Sequence, residues 1–445
     1  MPSTIAYLTA GGAGMFCGSC MRDNTLAAAL VRLGCDVQLI PLYTPIRTDE
    51  EDVSIDRVFF GGVNVYLQQQ VPLFRYLPGF LVRWLDHPRL LGGVGRLGIK
   101  TSGRQLGALA VSVLRGEHGR QRGEVLRLVE WLAGHIRPQL VNLSNLLIAG
   151  CVPTLKRKLQ APVLVTLQGD DLFLDELPEP YQSQALGELR RLAAEVDGFL
   201  VFSQYYADLM ADCLQVPLDR FHLVPMGLQL DDYQLLSPMV GERPPTIGYL
   251  ARLCRAKGLH VLAEAYLRLR QMPGGEFARL HVAGWLPPTE RAFAQAEFDK
   301  LRAAAGDHFQ YLGQLERPAK LDFLRSIDVL SVPTVYREPK GIFVLEALAS
   351  GVPVVQPAHG AFPELLAATG GGRLVPPGDA DALARALHEL LADHPARAAL
   401  GQAGRERVLA GFGSERMAAA TLEVYQKFLT PTTVANAAAD ARILT

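Results

Sequence analysis

The segment VPTVYREPKGIFVLEALASGVPVVQPAHGAFPELL, residues 332–366, is the most informative part of the 445-residue chain. Its apolar start predicts the end of a strand near Pro333, followed by a loop and a helix that opens around Gly341. The run VPVVQ then predicts the next strand. A strand, a helix and a strand in this order are typical of a parallel sheet covered by helices, because parallel strands need a crossover connection.

The same alternation extends from this segment in both directions. Continuous Val, Ile and Leu runs predict strands that are buried on both faces. In the first half they are TIAYLT (4–9), DVQLIPLY (36–43), RVFFGGVNVYL (57–67), LVNLS (140–144), VLVTLQ (163–168), FLVFS (199–203) and FHLVP (221–225). In the second half they are TIGYL (246–250), LHVAG (280–284), FQYLG (309–313), VLSVP (329–333), VPVVQ (352–356) and RLVP (373–376). We therefore predict an α/β fold with two Rossmann-like, doubly wound domains that face a cleft.

The Pro-rich segment SPMVGERPPT (237–246) separates the two series of strands and predicts a linker. The predicted parts of the chain are a first domain at 1–236 with a basic insert at 71–125, a second domain at 237–413, a helix at 414–430 that crosses back to the first domain, and a tail at 431–445.

Composition and charge exclude several classes of protein. Hydrophobic residues make up 49% of the chain and charged residues 20%, which is a globular balance. The net charge of −1 lacks the basic excess that most nucleic-acid-binding proteins show. The N-terminus has no signal-peptide pattern, and the apolar run at 140–155 contains Asn, Gly and Pro residues that lipid would not solvate. Since six cysteines are too sparse for a disulfide scaffold, we expect a cytoplasmic protein.

Two carboxylates flank the predicted start of the helix at Gly341. Glu338 precedes the helix, and Glu346 lies eight residues later, about two helical turns along. The N–H groups of Gly341, Ile342 and Phe343 would be free at the positive end of the helix, where phosphate binds. Carboxylates beside a phosphate site suit a ligand with hydroxyls next to a phosphate, such as a nucleotide sugar. The alternative is that both are ordinary surface residues.

A pair of cations follows the first strand of the second domain. In TIGYLARLCRAKG, Arg252 and Lys257 would stand at the carboxyl end of that strand and point into the cleft. A guanidinium and an ammonium suit the phosphates of a diphosphate leaving group, although they could equally be solvated surface charges.

The N-terminal loop TAGGAGMFCGSC contains Gly11, Gly12 and Gly14, which would let a ligand approach the backbone closely. Cys17 occupies the position of the last glycine in a dinucleotide fingerprint that starts at Gly12. A Rossmann oxidoreductase is therefore disfavoured.

Together these stretches resemble the retaining glycosyltransferases of family 4 (group 1), which have the GT-B fold. The most specific element is EPKGIFVLE (338–346), and the second is GYLARLCRAKG (248–258). Three further stretches resemble segments of the family's first domain and hinge: APVLVTLQGDD (161–171), VDGFLVFSQ (196–204) and HLVPMGLQLDDY (222–233). The resemblance covers most of the chain outside 71–125 and the tail.

This resemblance implies transfer of a hexose from a UDP- or GDP-sugar to a hydroxyl of a glycan, lipid or small molecule, with retention and without a metal ion or other cofactor. The first domain would bind the acceptor and the second the nucleotide sugar. Glu338 would contact donor-sugar hydroxyls, and Glu346 the ribose hydroxyls. Arg252 and Lys257 would neutralise the departing diphosphate. The same pocket would be lined by Gly12, Gln168 and the backbone of Gly341, Ile342, Phe343 and Val344.

Gln168 departs from the family pattern, because many relatives carry His at this position. Gln keeps hydrogen-bond donor and acceptor capacity but does not titrate near neutral pH. We therefore expect a hydrogen bond to the donor sugar and no ionisable role for this side chain.

Two other functions are alternatives on the sequence. One is a nucleotide-sugar epimerase-like enzyme of the same architecture, which product analysis would separate. The other is a non-catalytic sugar-binding protein, against which the intact set of Glu338, Glu346, Arg252 and Lys257 argues.

Two motifs have the spacing of metal ligands. Cys17 and Cys20 form a C-x-x-C motif, which fits incidental thiols, a redox dithiol or half of a zinc site, but no second C-x-x-C or paired His completes the last. Asp379 and Asp381 have D-x-D spacing, but Asp379 is placed to cap the helix that follows it. We predict no metal site.

The basic insert carries nine Lys and Arg residues against Asp86, Glu117 and Glu124, a local charge of 9 − 3 = +6. Leu, Phe and Trp84 are interleaved with these cations. One reading is a set of helices packed on the domain with a solvated basic face. The other is an amphipathic docking surface for anionic lipid or a phosphorylated acceptor, which would bring the protein to the inner face of a membrane.

Overall fold

The computed structural model describes residues 3–11, 17–61, 103–234 and 243–429. Gly12, residues 62–102 and the predicted tail lie outside these ranges. The strands are β1 (Thr4–Thr9), β2 (Asp36–Pro41), β3 (Leu140–Leu143), β4 (Val163–Thr166), β5 (Gly198–Val201), β6 (Phe221–Leu223), β7 (Thr246–Leu250), β8 (Arg279–Ala283), β9 (Phe309–Tyr311), β10 (Val329–Leu330), β11 (Val354–Pro357) and β12 (Gly372–Val375).

The α-helices of the described ranges are α1 (Gly18–Arg32), α2 (Gly103–Leu114), α3 (Arg122–Trp131), α4 (Val152–Leu159), α5 (Asp170–Asp175), α6 (Tyr181–Glu195), α7 (Gln204–Leu214), α8 (Asp231–Gln234), α9 (Leu259–Leu269), α10 (Arg291–Ala305), α11 (Arg317–Ser326), α12 (Ile342–Ala349), α13 (Phe362–Thr369), α14 (Ala380–Ala392), α15 (His394–Gly411) and α16 (Ser414–Leu429). A π-helical turn, Leu132–Ile136, continues α3, and short 3₁₀ segments include Leu146–Cys151 and Arg255–Lys257. None of the helices described is both long and apolar enough to cross a membrane.

The strands form two six-stranded sheets in which every pairing is parallel. The first sheet has the order β2-β1-β3-β4-β5-β6, and the second has the order β12-β11-β10-β7-β8-β9. Numbered from β7, the second order is 3-2-1-4-5-6, the order of a dinucleotide-binding sheet. The chain order reverses between β7 and β10, so a crevice opens beyond the carboxyl ends of these strands. The predicted α/β fold with two doubly wound sheets is confirmed.

One predicted strand differs from the structure. The first five residues of RVFFGGVNVYL (57–67) form no strand, and the remainder lies outside the described residues. Ser54 makes an isolated bridge with Leu39 of β2 instead. Phe59 and Phe60 are buried in the core, so their apolar character reflects packing against the sheet rather than pairing within it.

The last helix, α16, packs on the first sheet although it ends the described chain. Met417 and Tyr425 of α16 are fully buried in one cluster with Ile5 and Tyr7 of β1. The cluster also holds the apolar face of α1, so the first sheet is covered on this face by helices from both ends of the chain.

The described part of the basic insert packs on the first sheet. Val111 and Leu114 of α2 are buried in its core, and Gly107 lies so close to α6 that a Cβ there would be 2.7 Å from Tyr181. Arg115 forms an ion pair with Glu188. Residues 103–125 therefore fit the interpretation of the insert as helices packed on the domain.

Candidate active site

A cavity of about 350 Å³ lies between the two halves of the molecule, at the carboxyl ends of the strands. The first half lines it with Cys17, Ser19, Met21, Asp49, Gln168 and Leu172. The second half contributes Arg252, Lys257, Glu338, Ile342, Phe343 and Glu346. The structure thus brings together most of the residues that the sequence singles out.

The loop after β7 places Arg252 and Lys257 at the cavity. Gly258 ends this loop with φ = +74°, and a Cβ there would lie 1.7 Å from the carbonyl oxygen of Pro333. Only glycine fits at this position, because backbone meets backbone at a positive φ. The close approach holds the loop against the chain that follows β10.

Glu338 is the most highly connected side chain in the cavity. Its Oε2 accepts hydrogen bonds from Lys257 Nζ and the Tyr336 hydroxyl, each at 2.6 Å. Its Oε1 faces the N–H groups of Lys340 and Gly341 at 3.3 and 3.4 Å. Burial raises the pKa of Glu338, but the charge and hydrogen bond of Lys257, the hydrogen bond of Tyr336 and the charge of Lys340 outweigh burial and lower the pKa to about 2. Glu338 is therefore a fully ionised acceptor.

The start of α12 is less open than the sequence predicts. The N–H of Gly341 donates to Glu338, and the N–H of Val344 donates to the Gly341 carbonyl at 2.9 Å. The Val344 side chain is fully buried. The N–H of Gly341 is therefore not free as predicted, because the loop carboxylate binds it, and the N–H of Val344 is bound within the first turn of the helix. Ile342 and Phe343 line the cavity, and their first-turn N–H groups have no intrahelical acceptor.

The two predicted cations have different surroundings. Lys257 lies over the rings of Tyr336 and Phe343, 5.1 and 5.3 Å from their centroids, in addition to its ion pair with Glu338. Arg252 forms no salt bridge with any residue in the described part of the chain. Its guanidinium can therefore form an ion pair with a ligand.

Glu346 is part of an ionic chain that crosses the cavity. Lys320 of α11 donates to Glu346 at 2.7 Å and to Asp49 of the first half at 2.6 Å. The three side chains are at most 9% exposed. Burial lowers the pKa of Lys320, but Glu346, Tyr233 and Asp49 outweigh it and raise the pKa, so Lys320 is charged.

Gln168 is held in one orientation by the first half. Its Nε2 donates to Asp23 at 2.9 Å and to the Ser144 carbonyl at 3.0 Å. Asp23 is fully buried and also accepts from Tyr7 and Thr9. The Oε1 of Gln168 is buried and has no hydrogen-bond partner among the described residues. This oxygen is therefore a hydrogen-bond acceptor to which none of the described residues in the cavity wall donates.

Sequence reasoning misses two lysines of the cavity. Lys340, inside the quoted segment, donates from Nζ to Ser19 Oγ of α1 at 2.6 Å. Burial lowers the pKa of Lys340, although nearby Cys17 and Glu338 oppose this effect. The spacing of Lys340 between Glu338 and the helix was visible, but the direction of its side chain was not. For Lys320 no local signal exists, because its partners are distant in sequence.

The motifs with metal-like spacing lie apart from any ligand cluster. Among the described residues, no group of three or more His, Cys, Asp or Glu side chains is arranged to hold a metal ion. Asp379 accepts a hydrogen bond from the N–H of Ala382 at 2.8 Å, so it caps α14 as expected. Cys17 precedes α1 and lines the cavity, and Cys20 is buried one turn later.

Comparison with known proteins places the chain in a family. Residues 238–407 match the family described as glycosyl transferases group 1. A D-inositol 3-phosphate glycosyltransferase from Xylanimonas cellulosilytica is 30% identical over 336 residues, which are 72% of this chain and 76% of that protein. The chain belongs to the group 1 glycosyltransferases. The matched range contains every cavity residue of the second half named above.

Solved structures show the same fold for this group 1 glycosyltransferase. Sucrose-phosphate synthase from Thermosynechococcus elongatus aligns with a TM-score of 0.69 and 20% identity, over 96% of this chain and 98% of that chain. HepE of Anabaena in complex with UDP-glucose aligns with a TM-score of 0.65 and 14% identity, over 95% and 100% of the two chains. The architecture is therefore GT-B.

Proposed function

We propose that this glycosyltransferase moves a hexosyl group from a UDP- or GDP-sugar to an acceptor hydroxyl, with retention of the anomeric configuration. The observation that carries the proposal is the convergence of Arg252, Lys257, Glu338 and Glu346 on one cavity between the two sheets. HepE of Anabaena, which has the same fold and was solved in complex with UDP-glucose, supports a nucleotide-sugar donor.

The cations of the second half would stabilise the departing diphosphate. The Lys257 ammonium has three donors, of which one is directed at Glu338, so two can meet phosphate oxygens. Arg252 can bind two oxygens with its planar fork. Lys340 adds a third positive charge beside the first turn of α12. These charges perform the task of a metal ion in other transferases, and we therefore propose that transfer needs no metal.

The acceptor groups of the cavity would bind the sugar and the ribose. Glu338 is ionised and held by four donors, so it offers a fixed oxygen pair to the hydroxyls of the donor sugar. Gln168 Oε1 has the geometry to accept from a further hydroxyl, because its amide nitrogen is fixed by Asp23. Glu346 would bind the ribose, sharing its charge with Lys320.

Nucleotide release from UDP- and GDP-hexoses, with and without EDTA, tests this function. We expect one donor class to be hydrolysed slowly without an acceptor, with no effect of EDTA. NMR should show that the hexose in the initial product has the same anomeric configuration, α or β, as in the donor. Formation of an epimeric nucleotide sugar instead would support the epimerase alternative. Binding of donor with no turnover, even with acceptor mixtures, would support a sugar-binding protein.

The charge of the basic insert supports contact with an anionic membrane surface. Five of its nine cations, Arg75, Arg83, Arg89, Arg96 and Lys100, precede the described helix α2. Sedimentation with vesicles of anionic and of neutral lipid tests this part of the proposal. We expect binding to the anionic vesicles alone, weakened when these five residues are neutralised, and equal sedimentation with both lipids would contradict it.

A further inference from the structure

Two cysteines form the start of α1 in the wall of the cavity. Cys17 is the N-cap residue, and its carbonyl accepts the N–H of Met21 at 2.9 Å. The Cys17 side chain is partly exposed and lines the cavity, whereas Cys20 is 2% exposed. Both are free thiols. The glycosyl-transfer chemistry proposed above uses neither of them.

The surroundings of Cys17 favour a thiolate. Cys17 lies at the positive end of a 15-residue helix, which favours a negative charge on its sulfur, and Cys20 follows it by one helical turn. Lys340, fixed on Ser19 Oγ at 2.6 Å, places an ammonium on the same side. Hydrogen bonds from Cys20 are the largest cause that lowers the pKa of Cys17 well below its usual value, with Lys340 adding to it.

The neighbouring thiol has the opposite character. The hydrogen bond to Cys17 and burial raise the pKa of Cys20, with Asp23 adding to this effect, so Cys20 keeps its proton. Burial likewise raises the pKa of Cys35, which is partly exposed at the other end of α1. A reactive thiolate and a protonated partner thus lie one helical turn apart, which is the arrangement of a redox dithiol.

We propose that Cys17 and Cys20 form a dithiol that hydroperoxides oxidise in the wall of this cavity. The Cys17 thiolate attacks a peroxide oxygen, the O–O bond breaks, and Cys17 sulfenic acid and an alkoxide or hydroxide are formed. The alkoxide or hydroxide takes up from water a proton equivalent to the one that Cys17 released, which gives an alcohol or water. The Cys20 sulfur then attacks the sulfenic sulfur, and the S–S bond forms as hydroxide leaves with the Cys20 proton as water. In sum, two thiols and one hydroperoxide give one disulfide, one alcohol or water, and one further water.

Oxidation would change the cavity itself. The disulfide removes the negative charge that faces Lys340 and ties the sulfur of Cys17 to the buried side of α1. Lys340 donates to Ser19 of this helix from its side chain and to Glu338 from its backbone N–H. A change in the charge of Cys17 therefore acts on a residue that also contacts Glu338 in the second half of the cavity.

Alkylation measures whether Cys17 is the reactive thiol. The native protein is treated with limiting iodoacetamide at pH 6.5, and labelling of Cys17 and Cys35 is followed by peptide mass spectrometry. We expect Cys17 to react at least about tenfold faster, because more of it is thiolate. Lys340→Met should reduce this ratio, whereas Lys300→Met, at a lysine paired with Glu297 on α10, should not. Equal rates for Cys17 and Cys35 would overturn the proposal.

Peroxide treatment measures whether the pair closes. We expect hydrogen peroxide to remove two hydrogen masses from the peptide that contains both cysteines, with recovery by dithiothreitol. Cys20→Ser should stop at a sulfenic acid that dimedone traps on Cys17, and Cys17→Ser should show neither product. Cys17 overoxidation without a disulfide in the native protein would overturn the proposal. Since these readouts are covalent, their failure would leave the proposed sugar transfer untouched.

Discussion

Arg252 has no ionic partner in the described structure, so its removal tests the leaving-group role most cleanly. We expect Arg252→Ala to lower kcat by about 30- to 1,000-fold, which corresponds to about 2–4 kcal/mol of lost charge stabilisation in the transition state. The melting temperature should change little because no salt bridge is broken. Arg252→Lys should recover only part of the rate, since an ammonium lacks the planar fork. Nucleotide release from the preferred donor is the measurement.

The Lys257→Ala variant should behave differently, because Lys257 also neutralises Glu338 at 2.6 Å. Both kcat and the melting temperature should fall, and the double variant with Arg252→Ala should lose less kcat than the two single losses combined. Arg302→Ala, at an exposed arginine paired with Asp299, is the control for loss of a cation. Near-native kcat in either Arg252→Ala or Lys257→Ala would show that the residue does not contact the leaving group.

The lowered pKa of Glu338 predicts a pH dependence of stability. Its folded-state pKa of about 2 lies below its ordinary value of 4.5, so the carboxylate stabilises the fold above pH 5 and loses this effect as pH falls toward 2. The shift is equivalent to about 3 kcal/mol. We expect the difference in unfolding free energy between the native protein and Glu338→Gln to shrink steadily over this range, as measured by urea unfolding. A difference that stays constant from pH 7 to pH 3 would mean that the carboxyl titrates normally.

At the scale of elements, the loop between β7 and α9 depends on one glycine. Gly258→Ala would place a Cβ against the Pro333 carbonyl at a positive φ, which costs at least about 1–3 kcal/mol. We expect a lower melting temperature and a higher KM for the donor, because the displaced loop carries Arg252 and Lys257. Gly187→Ala, at an open site in α6, should instead be neutral or stabilising by up to about 1 kcal/mol. Equal effects of the two changes would contradict the close approach.

Strands were predictable from the sequence where both of their faces are buried. TIGYL (246–250) matches β7 residue for residue, and four of its five residues are buried, as expected for a strand covered on both faces. The run at 57–67 failed because an apolar segment can cover a sheet without joining it, as Phe59 and Phe60 do. Helix starts were predictable where a capping residue precedes them, as at Asp379.

At the scale of the whole molecule, the cavity could be predicted only in part. Glu338 and Glu346 could be predicted because both lie in one segment, one just before the start of α12 and the other within this helix. The partners from the other half do not, since nothing local in the sequence indicates that Lys320 meets Asp49, 271 positions away. Contacts of this kind depend on how the two sheets are placed, which is a tertiary property. The predicted domain bounds stay a prediction.

Three ion pairs join the two halves beside the cavity. Lys320 pairs with Asp49, Arg317 with Glu50, and Arg47 with Glu316, so three cation–carboxylate pairs connect the segment after β2 to the region of α11. Arg47 and Glu316 are well exposed and should contribute little, whereas the Lys320 group is almost fully buried. A buried charge that loses its partner is costly, so loss of Lys320 should reduce stability more than loss of Arg317 or Arg47.

Lys320→Met should therefore destabilise the protein strongly. The change leaves Asp49 and Glu346 buried without their cation, which typically costs about 3–5 kcal/mol. Asp49→Asn should cost less, because Lys320 keeps Glu346. Adding Asp49→Asn to Lys320→Met should restore part of the loss, since one of the two uncompensated carboxylates is removed. Melting temperatures of the three variants measure these differences, with Lys300→Met as the exposed-lysine control. Additive losses in the double variant would show that the three side chains do not act as one ionic group across the two halves.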